Sequence, residues 1–267
     1  MSALSTDLRP SLAERGFAVV ERLVPEAALR AIAEAFRRHA DDGIAQSADI
    51  LFTHAPPPAE LDGGEPRGMQ RLMEQWLNPH RRPPPLGTGE AVAALRPAVE
   101  RWLDEPAVLF QDMLMEKGAS HRRFPWHQDF PFWPVNAPIG LVVWAPLDPV
   151  DEGSGGLQLA AGSHSSGVGP AIDLHTGEAQ PGSPGVMVDV ARFEVVRPRL
   201  EPGDAIVFHP LLWHASGENR AGRRRRAWAS SWLGASARWS HARAPRHPLC
   251  RVIEDGGAVG SLEGGRG

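Results

Sequence analysis

The stretch Phe124-Pro-Trp-His-Gln-Asp-Phe-Pro-Phe-Trp-Pro134 places a histidine and a carboxylate two residues apart. Side chains two positions apart on a strand point to the same face, so we expect His127 and Asp129 to be presented together. An imidazole and a carboxylate are two of the three ligands of the facial triad that binds Fe(II) in non-haem oxygenases. A second such pair, His39-Ala-Asp41, ends a predicted helix. The spacing alone therefore does not identify a metal site.

Short apolar segments separated by glycine and proline turns surround this stretch. From residue 107 onward they recur at intervals that are typical of an all-β sandwich or barrel. The predicted strands and extended segments are 107–115, 139–146, 157–160, 186–190, 193–196, 204–208 and 227–233. The region 162–185 has the composition of a loop.

The first hundred residues have a different pattern. Residues 16–24 are predicted to form a strand, and a helix with an apolar stripe follows Pro25. The Pro- and Gly-rich region 44–68 is predicted to be a loop that covers a pocket. Short helices are expected over 69–77 and 89–103, the second with a kink or a restart at Pro97.

We therefore expect a single domain over residues 1–240. Residues 1–104 would supply a supporting strand, helices and a loop, and residues 105–233 would form the catalytic core. The remaining segment, 241–267, contains many glycines and several arginines and is predicted to be a loosely held tail.

Composition limits the classes of partner and compartment. The formal net charge of −4 gives no basic footprint for nucleic acid. The N-terminus lacks the apolar core of a signal peptide, and no run approaches the ~20 apolar residues of a membrane span. The only cysteine, Cys250, excludes an internal disulfide. We expect a cytoplasmic protein that acts on a small molecule, and the sequence does not indicate its oligomeric state.

Lys117 is the only lysine among 28 basic residues. Two interpretations are open. It is either a residue that escaped a general bias toward arginine, or it occupies a site that needs an ammonium, for which a guanidinium is no substitute.

Further motifs downstream complete a pattern with a known parallel. In order, the chain contains Lys117, His127-Gln-Asp129, Trp144, Gly162-Ser-His164, His214-x-Ser216-x-x-Asn219 and Arg225-Arg-Ala227. This set resembles the phytanoyl-CoA dioxygenase family, whose members are Fe(II)- and 2-oxoglutarate-dependent oxygenases. The resemblance covers about residues 105–233 and the N-terminal strand and helix. It implies a mainly β protein with flanking helices, built on a double-stranded β-helix (a cupin-like jelly roll).

The resemblance also implies the metal ligands, which are His127, Asp129 and His214. His209 is the competing third histidine, and the position in the family pattern favours His214. Relatives that halogenate have a small residue in place of the carboxylate, so Asp129 favours hydroxylation.

The same resemblance implies a site for the cosubstrate. Arg225 follows His214 by eleven residues, which is the family's position for the arginine that binds the far carboxylate of 2-oxoglutarate. Strand alternation puts Arg225 on one face with Ala227 and Ala229, and Arg226 on the other with Trp228. A register shift by one residue is the alternative. Cosubstrate contacts are also expected from Ser216, Trp144, Lys117 and Met113.

The predicted function is hydroxylation of a C–H bond in a small organic substrate, with O2 consumed and succinate and CO2 as coproducts. Gln111, Phe130 and Trp133 are expected to contact the substrate, although Gln111 also fits an ordinary strand position. Two alternatives are a cupin-like isomerase or hydrolase without redox chemistry, and a family member that binds ligands without catalysis. The first would leave Arg225, Ser216 and Trp144 without a role.

Overall fold

Two facing antiparallel sheets form the body of the protein. The computed structural model describes residues 3–41, 74–77, 88–119, 122–174, 176–245 and 247–260. Across these ranges there are ten strands: β1 (Phe17–Val20), β2 (Glu74–Leu77), β3 (Ala107–Lys117), β4 (Phe124–His127), β5 (Gly140–Pro146), β6 (Leu157–Ala160), β7 (Val195–Val196), β8 (Ala205–Phe208), β9 (His214–Ser216) and β10 (Arg225–Gly234).

The strand order identifies the architecture. One sheet has the order β1-β8-β5-β10-β3-β2, and the other has the order β4-β9-β6-β7. Strands β3 to β10 thus alternate between the sheets, except that β6 and β7 are consecutive in the second one. This is the arrangement of an eight-stranded jelly roll. The expected double-stranded β-helix is confirmed, with β1 and β2 added at the two edges of the larger sheet.

Three helices cover the outer face of the larger sheet within the described chain. They are α1 (Arg9–Arg15), α2 (Glu26–Asp41) and α3 (Gly89–Leu103). Buried residues recur along α2 and α3 at helical spacing, as the sequence predicted. Helix α3 is continuous through Pro97, so no restart occurs there. No helix in the described ranges is long and apolar enough to cross a membrane.

Strand β10 separates two apolar cores. Its tryptophans, Trp228 and Trp232, pack toward the helices in the outer core. Ala227 and Ala229 face the space between the sheets, where they join the inner core. The predicted alternation of β10 is therefore confirmed. Because alanine side chains are small, the inner face of this strand leaves room for a cavity.

Two local predictions differ from the structure. Residues 74–77 form strand β2, which pairs with β3, and are not helical. Residues 69–73 and the predicted loop at 44–68 lie outside the described residues. Residues 186–190 form no strand, because Val186 and Met187 are exposed and have no neighbouring strand to pair with among the described residues. The helix that contains His39 and Asp41 ends at Asp41 as expected, but their side chains lie outside the described set.

The prediction of a loose tail is wrong for residues 241–260. This segment folds back on the barrel: the Trp239 amide donates to the carbonyl of Gly257, and the Gly256 amide donates to the carbonyl of Trp239. Val259 and His247 are buried against the inner core. Leu249, Ile253 and Val259 pack on the inner core but follow no strand or helix period, so the sequence carried no signal of this docking. Residues 261–267 are not described.

Candidate active site

Pairing of β4 with β9 brings two histidines together. The two strands are antiparallel, and their register places His127 opposite His214. The imidazole rings face each other with centroids 4.1 Å apart. Side chains of directly opposite residues project to the same face of a sheet, and here that face is the interior of the barrel. Residues 87 positions apart in the chain thus reach one site through one strand pair.

Asp129 reaches the same site by a different route from the one expected. The strand ends at His127, and Asp129 has helical backbone angles (φ −79°, ψ −39°) before a short 3-10 turn at Phe130–Phe132. The amides of Asp129 and Phe130 both donate to the carbonyl of Pro210, at 3.1 Å each. This fixed turn, rather than strand alternation, aims the carboxylate. The expectation of a strand through Asp129 was wrong, although the two side chains do meet.

The three ligand atoms are spaced for a metal ion. One Asp129 oxygen lies 3.7 Å from Nε2 of His127 and 3.8 Å from Nε2 of His214. The ligand atoms of all three residues fall within 4.8 Å of one another. Ligands about 2.1 Å from one ion are about 3 Å apart at a right angle, so a small contraction would suffice. Two imidazoles and one carboxylate on one side of an ion form the facial set preferred by Fe(II).

Backbone carbonyls fix the tautomer of both histidines. Nδ1 of His127 lies 2.9 Å from the carbonyl oxygen of Pro125, and Nδ1 of His214 lies 3.0 Å from that of Leu212. A carbonyl only accepts, so Nδ1 carries the proton and Nε2 presents its lone pair to the site. Burial also lowers the pKa of His214 to about 4, which keeps the ring neutral.

The carboxylate is held in an environment that disfavours its charge. The side chain of Asp129 is 23% exposed, and burial raises its pKa to about 6, against a smaller opposing effect of His127. A neighbouring cation would reverse this shift, because it stabilises the ionised form. The donor set therefore fits a bound divalent metal.

A second polar site lies on β10. Arg225 is 1% exposed, and its Nη2 donates to the carbonyl of Gly155 at 3.0 Å. Its Nε and Nη1 are buried and have no hydrogen-bond partner within the described structure. The centre of the Trp144 ring lies 5.2 Å from the guanidinium carbon of Arg225. Burial lowers the pKa of Arg225 to about 10, so the group remains cationic at neutral pH.

This arrangement matches a carboxylate ligand. Buried donors without acceptors are costly, and a carboxylate accepts charge-assisted hydrogen bonds from a guanidinium. The prediction that Arg225, rather than a neighbouring arginine, faces the interior agrees with this placement. Arg226 points outward and forms an ion pair with Asp148.

Ser216 and Lys117 lie beside Arg225. Nζ of Lys117 donates to Oγ of Ser216 at 2.8 Å, and Lys117 is the cross-strand partner of Arg225. The amide of Asn219 donates to the carbonyls of Lys117, Gly118 and Arg223, which joins the ends of both strands.

One cavity of about 140 Å3 connects the two polar sites. All three candidate metal ligands line it, together with Arg225, Ser216, Trp144 and Met113. Lys117 is not among the described lining residues and lies behind Ser216. Most of the remaining wall is apolar and is formed by Phe124, Phe132, Trp133, Leu157, Leu174 and Phe208.

Two of the three predicted substrate contacts line the cavity and one does not. Gln111 and Trp133 line the cavity. Phe130 does not: it is fully buried, and the guanidinium of Arg243 lies 4.8 Å from the centre of its ring. Phe130 does not face the cavity because the 3-10 turn directs Phe130 into the core and Phe132 toward the cavity.

Two further residues belong to the site. Gln128 is buried between the two ligands of the motif, and its amide nitrogen donates to the carbonyls of Gly167 and Leu211, while its oxygen accepts from the amide of Gly169. Its position between two predicted metal ligands could have indicated from the sequence that Gln128 supports the site. His247 lines the cavity from the C-terminal segment. No pattern pointed to it, because that segment was expected to be loose.

Comparison with known proteins agrees with this geometry. The family model described as phytanoyl-CoA dioxygenase (PhyH) matches residues 12–227. The chain belongs to the phytanoyl-CoA dioxygenase family. It is 25% identical over 241 residues to the peroxisomal phytanoyl-CoA dioxygenase of Bos taurus, across 82% of this chain and 66% of the bovine protein. The matches span about a third to two thirds of the length of the curated relatives.

Solved structures with the same fold include proteins in complex with iron or 2-oxoglutarate. The epimerase SnoN, in complex with Fe3+, alpha ketoglutarate and nogalamycin RO, superposes with a TM-score of 0.70 at 18% identity, over 94% of each chain. EctD from S. alaskensis, with 2-oxoglutarate and 5-hydroxyectoine, superposes with a TM-score of 0.66 at 21% identity, over 90% of this chain and 79% of EctD. At these identities the likeness shows the fold that this PhyH-family chain shares with them.

Proposed function

We propose that this PhyH-family protein is an Fe(II)- and 2-oxoglutarate-dependent dioxygenase that hydroxylates a C–H bond of a small organic substrate. One observation carries the proposal. A facial set of two histidines and one carboxylate shares a cavity with a buried guanidinium that has two unpartnered donors. The two histidines and the carboxylate fit the metal, and the guanidinium fits the distal carboxylate of the cosubstrate.

The residues have separate tasks in this proposal. His127, Asp129 and His214 would hold Fe(II), and the cosubstrate would occupy the space between the metal and Arg225. When bound, Fe(II) and 2-oxoglutarate supply the activation of O2, with succinate and CO2 as coproducts. Arg225 and Ser216 would fix the distal carboxylate, and Trp144 would cover the guanidinium. The aromatic walls would exclude water from the reacting centre.

The other wall of the cavity sets limits on the substrate. Most of its side chains are apolar or aromatic, and Gln111 and His247 are polar. His247 is neutral at pH 7, because burial lowers its pKa to about 4. We therefore expect an uncharged or largely apolar substrate portion near the metal, with one or two hydrogen-bonding groups. This portion could belong to an acyl thioester, an amino-acid derivative or a secondary metabolite.

The carboxylate of Asp129 favours hydroxylation over halogenation, because a halide would need the coordination position that this group occupies. A second outcome within the same chemistry is stereochemical inversion at the oxidised carbon, since SnoN is an epimerase. A metal-dependent isomerase or hydrolase without redox chemistry is the alternative from another class. It would require no anion site, and Arg225 would be left buried with two unpartnered donors.

The decisive test does not require knowledge of the substrate. Purified protein is incubated with Fe(II), 2-oxoglutarate and O2, and succinate formation is measured first without substrate and then across a panel of the three classes named above. We expect slow succinate formation alone and faster formation with a true substrate. His127→Ala should abolish both, whereas His241→Ala, which changes a histidine outside the cavity, should not. Bound Fe(II) without succinate from any mixture would contradict the proposal.

A further inference from the structure

Lys117 and Arg225 form an unusual pair of buried like charges. They are cross-strand partners on β3 and β10, and both side chains are almost completely inaccessible to solvent. Within the described residues, no carboxylate lies at ion-pair distance from either of them. Buried charges normally have a paired partner, so this pair indicates that an anion completes the site. Arg225 has direct access to the cavity, but Lys117 does not.

A hydrogen bond connects Lys117 to the cavity through Ser216. Nζ of Lys117 donates to Oγ of Ser216 at 2.8 Å, and Ser216 lines the cavity. A serine hydroxyl that accepts from an ammonium still has its own proton to donate. With Lys117 behind it, the hydroxyl proton is free to point toward an anion in front. Lys117 thus acts on the site without touching the ligand.

The neighbouring backbone is shaped around the lysine side chain. Gly155 has a φ of +72°, and a Cβ at this position would lie 3.0 Å from Cδ of Lys117 and 2.9 Å from the carbonyl oxygen of Gly217. The carbonyl of the same glycine accepts from Arg225. Gly155 therefore gives room to one cation and orients the other. Such coordinated packing is not expected of a lysine retained by chance.

We propose that Lys117 is a positioning residue for the distal carboxylate of the cosubstrate, which it serves by orienting the Ser216 hydroxyl and by becoming protonated when the carboxylate binds. This inference rests on the proposed 2-oxoglutarate site. This role also explains why the only lysine in the chain lies at a position where an arginine would not serve. A guanidinium would remain charged at every relevant pH, whereas an ammonium can lose its proton when the site is empty and regain it when the site is filled.

The charges around Lys117 support this loss and gain of a proton. Burial lowers its pKa to about 7, with a further lowering by Arg225 on β10 and a small one by Arg123, which precedes β4. Glu218, which follows β9, acts in the opposite direction. Arg123 is exposed and the side chain of Glu218 is 41% exposed, so solvent and salt screen their effects. A carboxylate in the cavity would favour the ammonium and raise the pKa of Lys117.

The protonation of Lys117 should make the affinity for 2-oxoglutarate depend on pH. Above pH 7 the empty site holds mostly neutral Lys117, and binding of the anion takes up a proton. The affinity for 2-oxoglutarate should therefore fall as the pH rises above 7, by up to about tenfold per pH unit. The cosubstrate is fully ionised in this range and contributes no slope of its own.

The experiment is anaerobic isothermal titration calorimetry of the Fe(II)-loaded protein with 2-oxoglutarate between pH 6.5 and 9. Repeating each titration in buffers of different ionisation enthalpy gives the number of protons taken up. Wild type should take up close to one proton at about pH 8 and lose affinity as the pH rises. Lys117→Met should take up none and show a flatter profile, with lower affinity near pH 6.5. Lys117→Arg, if its longer head is accommodated, should also take up none.

A second ligand separates the local effect from general damage. 2-Oxopentanoate keeps the five-carbon chain and the 2-oxo acid end but lacks the distal carboxylate. Its affinity should be weak and equal in wild type and Lys117→Met at every pH. A loss of affinity for both ligands would mean that the substitution disturbs the metal end, and would overturn the specific role of Lys117.

The outcomes also separate this inference from the proposed function. Failure of wild type to bind 2-oxoglutarate in the presence of Fe(II) contradicts the proposed function. Binding with no proton uptake in wild type, or with equal uptake in Lys117→Met, overturns only the role of Lys117. If Lys117→Met does not fold, Lys117→Arg, which should also take up no proton, decides the question in its place.

Discussion

The cavity has a metal half, around His127, Asp129 and His214, and an anion half, around Arg225. The two halves differ in whether their polar groups already have hydrogen-bond partners. The candidate metal ligands come from β4, β9 and the turn after β4, and each imidazole already has a backbone acceptor for its Nδ1. The anion site comes mainly from the larger sheet, through β3, β5 and β10, and keeps two donors of Arg225 without acceptors. The metal half is organised by local hydrogen bonds. The anion half carries an electrostatic cost that a ligand relieves, so it should be the less stable half when empty.

The largest expected effect lies in the metal half. Asp129→Ala removes the only charged ligand of the facial set and leaves two neutral imidazoles. We expect Fe(II) affinity to fall by at least about hundredfold and succinate formation to become undetectable. Fe(II) binding and succinate release are the measurements. Asp189→Ala, which removes an exposed carboxylate, is the control. Near-normal iron affinity in Asp129→Ala would contradict the ligand assignment.

Arg225→Met should separate function from stability in the anion half. Loss of two charge-assisted hydrogen bonds should weaken 2-oxoglutarate binding by roughly hundredfold. The ligand-free protein should become more stable, by about 1 kcal/mol or more, because a buried charge without an ionic partner is removed. Calorimetry and thermal unfolding measure the two effects. Arg224→Met is the matched control, since Arg224 is exposed and directly precedes β10. A destabilised Arg225→Met protein would refute the comparison between the two halves.

Gln128→Ala tests the local organisation of the metal half. Its amide joins the ligand motif to Gly167, Gly169 and Leu211, so its loss leaves buried backbone groups without partners. We expect the free energy of unfolding to fall by about 2–3 kcal/mol and Fe(II) affinity to fall about tenfold. Gln158→Ala, at a half-buried site with no such contacts, should change stability by less than about 0.5 kcal/mol. Equal effects of the two substitutions would argue against a supporting role for Gln128.

The empty anion half should also give the stability of the protein a pH dependence. Lys117 has a pKa of about 7 in the folded protein, against 10.5 as its ordinary value. Between these values the unfolded chain binds more protons than the folded one, so stability should rise with pH by up to about 1.4 kcal/mol per unit. Chemical denaturation of the metal-free protein from pH 7 to 9 measures the slope. Lys117→Met should reduce it, and an unchanged slope would assign the effect to other groups.

The sequence predicted the fold and most of the site because both depend on repeating or local patterns. Alternation along β10 identified the face of Arg225, and short strands with Gly and Pro turns indicated the jelly roll. The failures have physical reasons. Asp129 is directed by a turn that is held by the carbonyl of Pro210, a contact between residues 81 positions apart. His247 reaches the cavity only because Trp239 and Val259 dock on the barrel, and such tertiary contacts leave no periodic signal.

The docked C-terminal segment has a consequence for how such proteins diversify. The family match ends at residue 227, yet His247 forms part of the cavity wall. The residues that would hold the metal and the cosubstrate therefore lie within the matched stretch, whereas His247 on the cavity wall lies outside it. Exchange of the residues that follow β10 should change which molecule is accepted and leave every candidate metal ligand and Arg225 untouched. Chimaeras joined after β10 are a practical way to redirect this scaffold.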